Sequence, residues 1–300
     1  MAIQIFGFRA LWSPYYFIFL ALVLVGYFLV TIKFRKKFAD SEPLRIGQAI
    51  HFSIAIVLLY IIKGSPIDLM GHLMFYAHMI QMAILCLVIP QFIILGVPAW
   101  IWRYLFKRSA LKNVFTFLTK PVVALLLFNG IFSIYHIPLV FDLVKTSFWL
   151  HAAYTSLLFV MGIIFWWPID NKLEDRQSLS GLKKVGYIFA GSALLLPACA
   201  LIIFADTPLY SSFSDPDAWA KSLELCVPAS TLAGLTLSGP EMFSSMTLLN
   251  DQQLGGIIMK IIQEVVYGVA LAQIFFSWYR KEQEETELEK QHSLNPHIIE

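Results

Sequence analysis

Soft, metal-binding side chains recur at one spacing in a single apolar stretch. Met70, Met74, His78, Met82 and Cys86 stand four residues apart, with Met79 beside the row. That spacing stacks side chains one turn apart on a helix face. Thioether, imidazole and thiol suit cuprous copper, and no carboxylate interrupts the row to favour a hard cation. His136 and His151 lie at the ends of two other apolar stretches. The ligand set this pattern supports is a copper site, Cu(I) by its softness, built from His78, Met82, His136 and His151. His72, Asp251, Met259 and Cys86 are weaker candidates. Methionine at helical spacing also fills apolar interiors, and that is the reading for Met70 and Met74; a buried cysteine such as Cys86 is often a small hydrophobe. HExxH, P-loop, nucleophile elbow and paired intramembrane carboxylates are all missing from the sequence, so the chain reads as a non-enzyme.

These side chains need elements to position them, and composition says which. Of 300 residues, 58% are hydrophobic and only 14% charged. A soluble globule carries about a quarter charged residues, so this chain cannot cover itself with polar groups and must face lipid. A net charge of +2, spread in blocks, excludes a nucleic-acid-binding surface. A spanning helix needs about 20 apolar residues. Seven runs qualify, at 14–32, 46–62, 72–96, 121–140, 148–167, 185–204 and 254–279. The fold expected is all-α, a polytopic seven-helix transmembrane bundle over residues 1–280, followed by a charged, solvated tail over 281–300. Residues 205–253 form the one long loop, and its apolar, proline-broken run 223–237 suits a re-entrant or interfacial helix. Glu264 in the last span is expected to pair with Lys260, one turn before it.

Lys and Arg orient the bundle. Loops 33–45, 97–120, 168–184 and the tail hold seventeen of these residues, while the alternate segments with the start of the last span hold five. The positive-inside rule then puts the N-terminus outside and the C-terminus inside. In that orientation His72, His78, His136, His151 and Asp251 all fall at the outer membrane level.

Several short motifs add a resemblance. Ala77-His78-Met79-Ile80-Gln81-Met82, Leu95-Gly96-Val97-Pro98, Tyr135-His136-Ile137-Pro138, Leu150-His151, Pro208-Leu209-Tyr210 and Asp251-Gln252-Gln253-Leu254-Gly255-Gly256 occur in this order. Together they resemble the CtaG family of the Bacillus type, multi-pass factors needed for assembly of cytochrome c oxidase. The resemblance implies a bundle in the bacterial plasma membrane, oxidase subunits as partners and a role in copper supply at the outer face. Self-association is compatible with it. Many family members have a histidine where Met82 stands and another soon after His151, where this chain has Ala152, Ala153 and Tyr154. A copper site here is therefore expected to be richer in thioether; the other reading is that the family does not use these positions as ligands. The alternative is a copper or small-ion permease, which needs polar groups continuing inward; the inner halves of the spans offer little beyond His51, Asn129 and Ser133.

Overall fold

Proline sets where many of the helices begin. It lacks an N–H and holds φ near the helical value, so it fits the first turn, where an N–H would have no partner. The computed structural model describes residues 3–107, 109–171, 173, 179–237 and 239–294. Arg108, Lys172 and Arg176, three of the seventeen loop and tail charges counted above, lie outside them. Among the described residues the fold is helical, without strands. Helix α1 (Gly7–Trp12) turns at Ser13 into α2 (Pro14–Phe28), which runs on as a π-helical stretch, Leu29–Lys33. After α3 (Ile46–Gly64) come α4 (Pro66–Leu73) and α5 (Phe75–Ala83). A second π-helical stretch, Ile84–Val88, joins α5 to α6 (Ile89–Gly96). Next are α7 (Ala99–Leu105), α8 (Ser109–Leu118), α9 (Pro121–Tyr135) and α10 (Pro138–Lys145). The long α11 (Phe148–Asp170) and α12 (Gly181–Ile203) follow. Three short helices, α13 (Ser211–Ser214), α14 (Pro216–Leu223) and α15 (Ala229–Leu232), lead to α16 (Leu248–Leu294).

The protein is a multi-pass membrane protein. Among the described residues six stretches are long and apolar enough to cross a bilayer, and the bent pair α8–α9 makes a seventh if its two arms count as one span. Exposed Phe17, Phe19 and Leu22 on α2, Val160 on α11 and Val265 and Val269 on α16 are faces suited to lipid. Inside, α5 and α12 pack on α16, while α11 packs on α6 and α9.

The breaks fall where the sequence reading had continuous helices. The third span, expected over 72–96, is interrupted at Met74, whose backbone is extended (φ −134°, ψ 136°). The row from Met70 to Cys86 is therefore not one face. Met70 and Met74 join a small apolar cluster with Phe6, Trp219 and Leu223, whereas Met82 and Cys86 belong to the main core. The fourth span ends at Tyr135 rather than 140, because Pro138 disfavours helix at Ile137 and holds it extended. Its start is bent by 76° from α8 at the proline of α9. The run 223–237 is not one helix: it holds the end of α14 and the single turn of α15, and its Leu223 and Val227 fill the small cluster. Beyond 279 the last helix continues as far as Leu294. Lys260 and Glu264 pair at 2.6 Å, and Ser192 of α12 donates to the same carboxylate at 2.9 Å.

Close packing of α3 on α6 requires a glycine. A Cβ on Gly96 would lie 2.6 Å from the backbone nitrogen of Phe52. Tyr27 stacks on Phe52 with ring centroids 3.9 Å apart and donates to the Gly96 carbonyl at 2.9 Å, tying α2 to the same point. Gly96→Ala is expected to destabilise the protein by about 1–3 kcal/mol, the cost of overpacking. Gly130→Ala, inside α9 where a Cβ meets nothing within 4 Å, should instead stabilise it by up to about 1 kcal/mol, the helix-propensity gain of alanine over glycine. Thermal unfolding of both variants in one detergent checks the contrast.

Candidate functional site

The break at Met74 leaves the first N–H groups of α5 without partners in their own helix. Asp251 of α16 supplies acceptors from far along the chain: Oδ2 accepts from Phe75 N at 2.8 Å and Oδ1 from Tyr76 N at 3.1 Å. One turn along α16, Gly255 lets the helices close, since a Cβ there would meet Phe75 Cδ1 at 2.7 Å. Between them, Gln252 accepts from Leu209 N at 2.7 Å. The neighbouring Tyr210 hydroxyl donates to the His136 carbonyl at 2.8 Å. The loop after α12, the start of α5 and the end of α9 are thereby held to one helix.

The result is a small buried cavity. His72, His78, Met82 and His151 line it together with Lys63, Gln81, Leu85 and Thr155. It leaves about 10 Å³ for the centre of a water molecule, the room of roughly one water. His78 and Met82 occupy successive turns of α5; His151 comes from the first turn of α11, where Thr155 donates to its carbonyl at 2.6 Å. Neither ring nitrogen of His151 has a hydrogen-bond partner among the described residues. His78 Nε2 lies 3.4 Å from the Tyr135 hydroxyl. The His72 and His151 rings are 5.5 Å apart. Among the described residues no three His, Cys, Asp or Glu side chains are grouped as a metal cage. The donors available at the cavity are imidazoles and one thioether.

The other candidates lie elsewhere. His136 caps α9 with its Nδ1 2.8 Å from the Phe132 carbonyl, while its Nε2 is buried without a partner. It does not line the cavity: Tyr135 stands between, its ring 6.0 Å from that of His78 and 5.0 Å from that of His136. Cys86 and Met259 are fully buried in the main core. Both oxygens of Asp251 are engaged in capping α5.

Lys145 was not a candidate from sequence, where it counts as a loop charge. At the end of α10 it is fully buried, and no pattern in the sequence marks it. Its Nζ donates to the Gly71 carbonyl and to His72 Nδ1, each at 3.2 Å, and lies 5.1 Å from the Phe213 ring centre. Burial lowers its pKa to about 7, Lys63 adding to the shift while Cys226 and Asp68 oppose it. Asp68 is itself held by Lys63 at 2.8 Å and Gln81 at 3.0 Å. Burial, then Lys145, likewise pushes His72 well below the usual histidine range. The sign follows: the folded amine holds its proton less tightly than the unfolded one, so stability rises as pH climbs from about 7 towards 10.5. Lys145→Met should abolish that rise. Melting temperatures of wild type and variant from pH 6 to pH 10 are expected to converge in slope below about 7 and diverge above it.

Comparison with known proteins gives the family. The family described as cytochrome c oxidase caa3 assembly factor (Caa3_CtaG) matches residues 25–281, and the chain belongs to it. Among curated proteins it is 22% identical over 290 residues to an uncharacterized protein of Mycobacterium bovis and to one of Mycobacterium tuberculosis. It is 24% identical over 296 residues to an uncharacterized protein of Mycobacterium leprae. These matches cover 90% of this chain but 39% of each relative. No solved structure matches the chain.

Proposed function

We propose that this member of an oxidase assembly family holds cuprous copper transiently at His78, Met82 and His151 and passes it to an oxidase subunit. The observation that carries the reading is His151, a largely buried imidazole with both nitrogens unpartnered, sharing a cavity with a second imidazole and a thioether. Such donors select Cu(I) over harder ions. Burial favours the same choice, because removing a dication from water costs far more than removing a monocation. Two or three protein ligands leave coordination free for an acceptor, which transfer requires. His72 is not in the set: its Nδ1 is engaged by Lys145, and it serves to fix that amine beside the cavity. The ion is cargo and no chemical step is asked of the protein. The Lys and Arg distribution supports an orientation with this end of the bundle at the outer face of a bacterial plasma membrane.

The test is anaerobic Cu(I) binding by the full-length protein. His78→Ala, Met82→Ala and His151→Ala are each expected to weaken affinity about tenfold or more, a loss of at least ~1.4 kcal/mol. His136→Ala should bind as wild type does. Unchanged affinity in all three variants would refute the site.

A further inference from the structure

A second and larger cavity lies at the opposite end of the bundle, of ≈ 560 Å³, within the range of about 300–1,000 Å³ usual for ligand sites. Three spans terminate beside it. Helix α3 begins at Ile46, just after the lining residue Arg45; α6 ends at Gly96, among the lining residues Leu95 and Val97; α11 ends one residue before Asn171. The cavity is therefore at the membrane boundary.

Its described charged groups are Arg45, Arg103 and Glu42. The carboxylate brings the guanidiniums together, with Oε2 3.7 Å from Arg45 Nη2 and Oε1 3.4 Å from Arg103 Nη2. Among the described lining residues, one carboxylate against two guanidiniums leaves a net single positive charge. Each guanidinium has five N–H donors, more than this carboxylate can engage. Trp102, also in the lining, carries a buried indole N–H with no acceptor in the protein. Ile94, Leu95 and Val97 supply an apolar wall.

We propose that this cavity binds the phosphodiester headgroup of an anionic phospholipid. Guanidinium forks match phosphate oxygens in geometry and charge. One phosphodiester neutralises the excess charge of the described groups, and the aliphatic wall receives the glycerol end of the chains. Inorganic phosphate shares the anion chemistry but leaves the wall unused.

Native mass spectrometry of the full-length protein in detergent tests this, with phosphatidylglycerol, phosphatidylcholine and inorganic phosphate as separate titrants. One phosphatidylglycerol should bind, more tightly than phosphatidylcholine, and excess phosphate should not displace it. Arg45→Gln and Arg103→Gln, both at exposed positions, should each weaken binding about tenfold. Glu42→Gln, which leaves both guanidiniums unopposed, should tighten it. Undiminished lipid binding in the double arginine variant, or equal binding of the two lipids, would overturn the proposal. Displacement by phosphate at equal concentration would assign the cavity to the free ion instead.

Discussion

One carboxylate, Asp251 of α16, makes the interrupted third span possible. An interrupted span leaves N–H groups at a depth where water cannot serve them, and each such group costs about 1–3 kcal/mol when unsatisfied. One carboxylate from α16 answers two of them at the start of α5. The break at Met74 is tolerable for that reason, and the break is what turns His78 and Met82 away from Met70 and Met74. Gly255 and Gln252, on the same stretch of α16, make the contact close and extend it to the loop carrying Tyr210. Remove the carboxylate and the start of α5 loses both acceptors, while Gln252 and Tyr210 still hold the loop and the end of α9.

Much of this was legible in the residues. Apolar runs of spanning length, set apart by loops rich in Lys and Arg, read directly as a helical membrane protein because lipid admits few other solutions. The positions of the breaks were not legible. Nothing about Met74 marks an extended residue, since the acceptor that makes it affordable lies about 175 residues away along the chain. Pro138 is the opposite case: its effect on the residue before it is local, and the early end of the fourth span follows from it.

The histidines show the same division. Their level along the spans followed from counting residues, but which rings share a space depends on helix rotation. His136 and Tyr135 are neighbours in sequence, yet Tyr135 lies against His78 while His136 turns to the Phe132 carbonyl. Lys145 was invisible because a lysine in a short loop ordinarily reaches water. Here α10 packs on α9, α11 and α13, and its end is buried with the amine against Gly71 and His72 of α4. A buried amine beside buried imidazoles gives this end of the bundle a polar interior, while the far end gathers arginines around a much larger space. The two ends differ in chemistry.

X-ray absorption at the copper edge of the Cu(I)-loaded full-length protein tests the proposed cargo site most directly. Ligation by His78, Met82 and His151 predicts a shell of nitrogen with one sulfur scatterer, and loss of the sulfur in Met82→Leu. A shell of nitrogen or oxygen alone in the wild type, or a sulfur that persists in Met82→Leu, would contradict it.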